Sequence, residues 1–302
     1  MHDRRRFLKS SLAGAGFLSI SPRLAFSTAV PVGAGVKSAA DRVPLGSTGI
    51  RCSFLAQGTG FNGSARSSDH TRMGQAAFTR LLRHGIDEGV NFLDMADLYG
   101  THPFVREAIR GLPRDRFVML TKVWPRKAEW VTPSGGARPE FDRFRRELGT
   151  EMIDVCLIHC AVNDRWAQEY AGMRDELSAL KEEGSLRAVG VSCHDHGALK
   201  LAAEDPWVDV IFARINHRGG KEFSCDDTAE EVAKTLRRAR SNGKAVVGMK
   251  IFGAGKLTRP EDRDASLAYV LGSGLVDAMT IGMTSVEQVD DSVARIGKAL
   301  AG

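Results

Sequence analysis

The chain has 302 residues, of which 43% are hydrophobic and 26% charged, with 32 Gly, 10 Pro and 5 Cys. This composition is typical of a globular protein and excludes a disulfide-dense miniprotein, a collagen-like chain, a disordered tail and a multi-span membrane protein. Five of the 42 cations and one of the 37 anions lie in residues 1–29, so most of the net charge of +5 belongs to that segment. The remainder is nearly neutral, and we expect no nucleic-acid-binding face.

The first residues have the pattern of an export signal. A basic start, Arg4-Arg5-Arg6-Phe7-Leu8-Lys9, precedes a short apolar stretch over residues 11–20 and then small residues. Paired arginines followed by Phe-Leu-Lys resemble the twin-arginine signal, which exports proteins already folded. The apolar stretch is shorter than the roughly 20 residues that cross a bilayer, so we expect no stable membrane span.

This pattern predicts a signal peptide over residues 1–29, with cleavage after Ala29, and a flexible lead-in over residues 30–42. The twin-arginine export machinery is then a partner, and the mature protein is periplasmic or secreted. Export in the folded state suggests that a cofactor is inserted before export and is carried out bound. The alternative is a basic N-terminus that is never cleaved.

From Ser53 onwards, short apolar runs alternate with amphipathic stretches, as in strands buried on both faces and separated by helices. Eight runs are predicted as strands: Phe54–Ala56, Val90–Leu93, Phe117–Thr121, Ile153–Ile158, Ala188–Val191, Val208–Phe212, Ala245–Met249 and Val276–Ile281. Eight strand–helix units in about 250 residues predict a (β/α)8 TIM barrel over residues 43–302. A doubly wound sheet with the same alternation is the alternative.

Turn residues over 44–50 predict a small β-hairpin before the first barrel strand. Helical periodicity predicts one helix over residues 69–88, with Asp69 as its N-cap, and another over residues 227–241. The five cysteines include no C-x-x-C pair, so we expect no metal site. The run from Cys193 to His196 is better explained by Asp195 capping a helix than by metal ligation, because adjacent side chains do not easily face one ion.

Four chemically complementary side chains follow three adjacent predicted strands: Asp94, Tyr99, Lys122 and His159. In a barrel these strand ends share one face, which is where such folds carry their chemistry. A lysine ammonium held by a carboxylate favours ionisation of a nearby phenol, and a neutral imidazole can orient a carbonyl oxygen. The set therefore predicts protonation of a carbonyl oxygen while hydride arrives from a bound nicotinamide.

Over about residues 43–297 the sequence resembles the aldo-keto reductases. The resemblance lies in the segments Gly89–Gly100, Leu120–Trp124 and Asp154–His159, and in the five-residue step from Asp94 to Tyr99. It implies that Tyr99 is the proton donor, that Lys122 and Asp94 lower its pKa, and that His159 orients the substrate carbonyl.

The same resemblance implies a bound NADP, with NAD as the alternative. Cofactor contacts are expected from the first βα loop, from the ends of later strands and from the start of the last helix, where free N–H groups suit a phosphate. The expected residues are Gly58, Thr59, Gly60, Ser192, Arg214, Asn216, Lys250, Gly282, Thr284, Ser285 and Gln288.

Three positions depart from the family's pattern on the cofactor side. Cys193 stands where the family commonly has Asn, and Phe212 and Ile215 stand in place of a Gln and a ring-stacking Tyr. Arg214 and Asn216 are therefore candidates for a different amide clamp. The segment 282–288 contains no Lys or Arg for a 2′-phosphate, which leaves Lys250 and Lys256 as candidate cations.

Two further patterns leave alternatives open. The segment Gly58-Thr59-Gly60-Phe61-Asn62-Gly63 satisfies the Rossmann fingerprint G-x-G-x-x-G, but no helical pattern follows directly, so we interpret it as the first βα loop. Three tryptophans near the loops after the third and fourth strands could line a substrate pocket or cover the end of the barrel: Trp124, Trp130 and Trp166.

The sequence as a whole predicts an exported oxidoreductase that transfers hydride between a nicotinamide cofactor and a carbonyl or alcohol substrate, such as an aldehyde, ketone or sugar derivative. Its partners are this small molecule and the export machinery. The alternative function is a nucleotide-binding barrel with a sensing or binding role and little turnover, since several of the family's amide contacts are replaced.

Overall fold

The computed structural model describes residues 36–126 and 136–301. The predicted signal peptide and the first part of the lead-in lie outside the described residues. In the rest of the lead-in, Ala39 is fully buried, and its carbonyl accepts a hydrogen bond from Leu55 N at 2.9 Å. The carbonyl of Asp41 likewise accepts from Phe54 N at 3.0 Å. The chain therefore contacts the barrel before residue 43.

Eight parallel strands close into a barrel, which confirms the predicted fold and excludes the doubly wound sheet. In chain order the strands are β3 (Leu55–Gly58), β4 (Phe92–Asp94), β5 (Val118–Val123), β6 (Ile153–Ala161), β7 (Leu186–Cys193), β8 (Val210–Arg214), β9 (Ala245–Met249) and β10 (Ala278–Gly282). Each strand pairs with the next, and β10 pairs with both β9 and β3. Their side chains are almost all buried, as the near-continuous apolar runs predict.

The predicted hairpin precedes the barrel. It consists of β1 (Arg42–Pro44) and β2 (Arg51–Ser53), which pair antiparallel with Val43 opposite Cys52. At the turn, a Cβ added to Gly46 would lie 2.7 Å from the backbone nitrogen of Ala245, the first residue of β9. The hairpin therefore lies at the N-terminal end of the strands, opposite the end where barrels carry their chemistry.

Helices connect the strands along the chain. They are α1 (Asp69–Arg72), α2 (Gln75–Asp87), α3 (His102–Ala108), α4 (Ala137–Leu148), α5 (Trp166–Glu169), α6 (Ala171–Glu182), α7 (His196–Glu204), α8 (Ala229–Ser241), α9 (Pro260–Gly272) and α10 (Val286–Ala301). Among the described residues no helix is long and apolar enough to cross a membrane.

The helix expected over residues 69–88 is two helices, and its predicted cap was wrong. Gly74 has φ +82°, a left-handed conformation that separates α1 from α2. Ser68 is the N-cap of α1 and forms a capping box with Thr71, so Asp69 is the first helical residue. At α7 the predicted cap is confirmed, because the Asp195 side chain accepts a hydrogen bond from Ala198 N.

Candidate active site

The four residues expected to carry the chemistry meet at the C-terminal end of the barrel. Asp94 is the last residue of β4, Lys122 lies in β5 and His159 in β6. Tyr99 follows on a single turn of 3₁₀ helix, Asp97–Tyr99, and together with Asp94 and Lys122 it lines one cavity. Its ring meets the ring of His159 edge to face, with 5.7 Å between the ring centroids.

A buried ion pair joins Asp94 and Lys122. The Lys122 ammonium donates to a carboxylate oxygen of Asp94 and to the carbonyl of Met95, the latter at 2.8 Å. The second carboxylate oxygen of Asp94 accepts from Thr280 Oγ1 at 2.8 Å. Thr280 was not predicted as a site residue. The available signal was its polar side chain in the otherwise apolar strand β10, which barrel closure places next to β3.

Aromatic rings enclose the rest of the Lys122 ammonium. Its Nζ lies 5.0 Å from the centroid of the Tyr99 ring and 5.0 Å from that of Phe212. Phe212 occupies the strand position where the sequence resemblance leads one to expect Gln. Here the residue supplies a π face to a buried cation.

The pKa of Tyr99 shifts in the direction opposite to that expected. Burial, followed by the negative charge of Asp94, raises the pKa of the phenol well above its usual value. The resemblance implied a lowered pKa. Burial disfavours the charged phenolate, and the negative charge of Asp94 offsets the positive charge of Lys122, which would favour the phenolate. Tyr99 is therefore a protonated phenol at neutral pH, able to donate a proton.

His159 is a neutral imidazole. Burial, followed by the positive charge of Lys122, lowers the pKa of His159 well below its usual value. Its Nδ1 is buried and accepts or donates no hydrogen bond within the described part of the chain. The ring packs edge to face on Trp124 at 5.5 Å between centroids. His159 can therefore act as a hydrogen-bonding partner for a ligand without bringing a charge.

The first βα loop closes tightly over Tyr99. A Cβ added at Gly60 would lie 2.3 Å from the Tyr99 ring, and one at Gly63 would lie 2.6 Å from it. Only residues without a side chain at these two positions leave room for the Tyr99 ring. Thr59 donates from Oγ1 to the Asp94 carbonyl at 2.9 Å and contacts Thr101, so it fixes the strand end that carries Asp94.

A buried ionic network, unpredicted from the sequence, anchors the turn that carries Tyr99. Asp97 accepts from Arg66 at 2.9 Å and from Arg143 at 2.8 Å. Glu147 bonds both arginines, at 2.7 and 3.0 Å, and also contacts His102 Nδ1 at 3.0 Å. The network ties the first βα loop and α4 to the turn two residues before Tyr99.

An inner cavity of about 370 Å³ runs from Tyr99 and Lys122 to the start of α10. Six of the expected cofactor residues line it: Gly58, Gly60, Lys250, Gly282, Thr284 and Gln288. The wall also includes Arg263 of α9 and Asp291 of α10, which form an ion pair of 3.1 Å and were not predicted. Ser285 lies beside this wall, where its Oγ accepts from Gln288 N at 3.3 Å.

The two residues predicted to hold the cofactor amide, Arg214 and Asn216, bind other groups of the protein. The Arg214 guanidinium forms an ion pair with Asp226 and donates to the His194 carbonyl at 2.7 Å. The Asn216 side chain binds four backbone groups of neighbouring loops, including the carbonyl of Lys250 at 3.1 Å. By contrast, Ser192 Oγ is fully buried and has no hydrogen-bond partner in the described part of the chain.

A second cavity of about 580 Å³, here called the outer cavity, also has Tyr99 in its wall. It is lined by the rings of Tyr99, Trp124, His159 and His194, and it shares Lys250 with the inner cavity. Trp124 is thus part of a pocket wall. Trp166 is fully buried in α5 and donates to the Ala198 carbonyl at 3.3 Å, so it belongs to the core. Trp130 lies outside the described residues.

Comparison with known proteins identifies the family of this chain. The model of the Aldo/keto reductase family matches residues 58–270. The chain is 27% identical over 241 residues to the NADH-specific methylglyoxal reductase of Escherichia coli (strain K12), a match that spans 74% of this chain and 71% of the relative.

Two solved structures share the fold. An aldo-keto reductase from Pseudomonas aeruginosa has a TM-score of 0.69 at 23% identity, covering 88% of this chain and 98% of its own. One from Klebsiella pneumoniae, in complex with NADPH, has a TM-score of 0.62 at 20% identity, covering 86% and 90%. Because the family model matches more than half of the chain, the protein belongs to the aldo/keto reductase family and is an oxidoreductase.

Proposed function

We propose that the protein reduces a carbonyl compound with a nicotinamide nucleotide and that Tyr99 donates the proton. The observation that carries this proposal is the position of Tyr99, a protonated phenol between two cavities, with the Lys122–Asp94 pair on one side and His159 on the other. Because Tyr99 lines both cavities, a carbonyl group in the outer cavity and a long ligand in the inner cavity can both lie beside it.

The reaction needs one hydride and one proton. A reduced nicotinamide, when bound, supplies a hydride to the carbonyl carbon. Tyr99 gives its phenolic proton to the carbonyl oxygen, so that an alcohol forms, and it regains a proton from solvent. The Lys122 ammonium stabilises the phenolate left behind, Asp94 keeps that ammonium charged, and neutral His159 donates a hydrogen bond that orients the carbonyl.

The residues on the inner side fit a dinucleotide. We propose the Ser192 hydroxyl as a partner for a ligand amide because it is buried and lacks a described protein partner; Ser192 itself lies behind the described walls of both cavities, in neither of them. Thr284 and Gln288 line the cavity at the start of α10, where backbone N–H groups favour a phosphate. Gly58 and Gly60 also line the cavity without side-chain bulk.

For the nucleotide we propose NADP, with NAD as the alternative. Arg263 lies in the described cavity wall together with Thr284 and Gln288 from the start of α10, and it can meet a 2′-phosphate. The Klebsiella protein binds NADPH, whereas the Escherichia coli relative is NADH-specific, so both nucleotides belong in every assay.

Replacing Ser192 with alanine tests the cofactor assignment. No described protein hydrogen bond is lost, so we expect thermal stability to be unchanged. The Kd for the preferred nucleotide should rise about fivefold to tenfold, since a net hydrogen bond contributes about 1 kcal/mol. Calorimetric titration with NADPH and NADH measures this. An unchanged Kd for both nucleotides would remove Ser192 from the cofactor site.

A binding barrel with little turnover remains the second candidate. Arg214 and Asn216 bind protein groups, so they do not take over the amide contacts that the family's Asn and Gln make and that this chain lacks. This observation favours the binding barrel. The catalytic proton distinguishes the two functions, because a binding barrel has no need of the Tyr99 hydroxyl.

We further propose that the protein is exported folded by the twin-arginine machinery and works in the periplasm or outside the cell. The support is the paired-arginine start and the short apolar stretch of residues 1–29. The intact mass of the protein from the periplasmic fraction is expected to match a chain that begins at Val30. A full-length chain found in the cytoplasm would contradict export.

A further inference from the structure

The part of the outer cavity wall that the structure describes includes one charged side chain. Its described lining contains no carboxylate, and Lys250 is the sole Lys or Arg in it. The two histidines are neutral, since burial lowers the pKa of His194 to about 3 and lowers the pKa of His159 well below its usual value, with Lys250 contributing to both shifts. An uncompensated cation in a half-closed pocket attracts an anionic ligand group.

Among the described residues, Lys250 has no counterion. Its ammonium makes no hydrogen bond or ion pair with any other described residue, and among described carboxylates Asp94 is already bound by Lys122 and Thr280. Buried charges in proteins are normally paired, so a largely buried lysine without a partner in a cavity points to a ligand that supplies the partner.

The backbone at this position gives independent support. Lys250 has φ +59°, a left-handed conformation that glycine adopts at lower cost. The residue directly follows β9, so its side chain starts at the same end of the barrel as Asp94 and His159. The strained backbone therefore lies at a residue that lines both cavities.

We propose that the substrate carries a carboxylate and that Lys250 binds it while the carbonyl lies against Tyr99. This rests on the proposed function, since it names the substrate class of the same site. Tyr99 and Lys250 are the functional side chains that the two cavities share, so one molecule in the outer cavity touches both. The cofactor's phosphates have a separate place at the start of α10.

A matched pair of aldehydes tests this. 4-Carboxybenzaldehyde and its methyl ester differ in charge at the far end of the same ring. With the full chain and the preferred nucleotide, we expect kcat/KM for the acid to exceed that for the ester by about tenfold or more, the range of a charge-assisted hydrogen bond. The Lys250→Met variant should lose this preference, and Lys250→Arg should restore part of it.

The control is Lys256→Met on the same loop. Lys256 is exposed, and its ammonium donates to the Glu222 carbonyl, away from the described walls of both cavities. It should keep the preference for the acid. Equal kcat/KM values of the wild type for the acid and the ester would contradict the proposal. So would a Lys250→Met variant that binds nucleotide more weakly and reduces both aldehydes equally slowly, because Lys250 would then serve the cofactor.

A binding measurement separates this proposal from the proposed function. Calorimetry with 4-(hydroxymethyl)benzoate and its methyl ester needs no turnover. Tighter binding of the acid that disappears in Lys250→Met supports the anion site even if no aldehyde is reduced, in which case the reductase function alone fails. Equal binding of acid and ester overturns the anion site whatever the activity.

Discussion

The Tyr99→Phe variant is expected to lose turnover by roughly 10²–10⁴-fold, the usual contribution of a positioned proton donor. The change removes one hydroxyl and keeps the ring that contacts His159 and that Gly60 and Gly63 admit. Nucleotide affinity should therefore stay at the wild-type value. Steady-state kinetics and a parallel nucleotide titration measure the two quantities on the same preparation.

Two results would contradict the assignment of Tyr99. Unchanged kcat would show that another group donates the proton. A loss of nucleotide binding in proportion to the loss of kcat would show that the hydroxyl holds the cofactor. Thermal unfolding serves as the control, since a variant that keeps the ring should melt close to wild type.

The Lys122→Met variant is expected to be the most damaging to stability. Lys122 and Asp94 are both buried, and methionine removes the cation while the carboxylate stays. Breaking a buried ion pair by deleting one partner typically costs about 3–5 kcal/mol of unfolding free energy. Because Lys122 also stabilises the Tyr99 phenolate in the proposed mechanism, kcat should fall as well. Chemical denaturation and steady-state kinetics measure the two effects.

A second substitution shows whether the unpaired charge is the cause. The double variant Asp94→Asn/Lys122→Met removes both charges and should recover most of the lost stability while staying inactive. Thr280→Val, which removes only the hydrogen bond to Asp94, should cost about 1–3 kcal/mol. A Lys122→Met protein as stable as wild type would contradict the buried pair.

The sequence predicted the barrel because its signal is local. Each strand is an apolar run bounded by turns, and eight strand–helix units in about 250 residues favour a closed barrel. Asp94, Tyr99, Lys122 and His159 were predicted in the same way, because residues at or soon after the C-terminal end of a barrel strand lie at the face where barrels carry their chemistry.

The features that escaped prediction depend on contacts between distant segments. Thr280 reaches Asp94 only because β10 closes the barrel next to β3, and Arg263 reaches the inner cavity from α9. The network around Asp97 joins α4 to the first βα loop. The direction of the Tyr99 pKa shift depends on burial, which residue spacing does not specify.

The two errors in the helix predicted over residues 69–88 have local causes. Ser68 and Asp69 are both good capping residues, and the capping box with Thr71 favoured the first. Gly74 interrupts a pattern whose apolar periodicity alone looks continuous. The signal peptide of residues 1–29 stays a prediction from the sequence.

The most direct test of the account is deuteride transfer. The full chain is incubated with NADPH or NADH carrying deuterium at the transferable position of C4, together with a panel of aldehydes that includes 4-carboxybenzaldehyde, and the alcohols are analysed by mass spectrometry. If the protein is a reductase with Tyr99 as proton donor, we expect one deuterium on the carbinol carbon of the product, and none with Tyr99→Phe over the same time. Nucleotide that binds but transfers no deuterium to any aldehyde would contradict a reductase and leave the binding barrel.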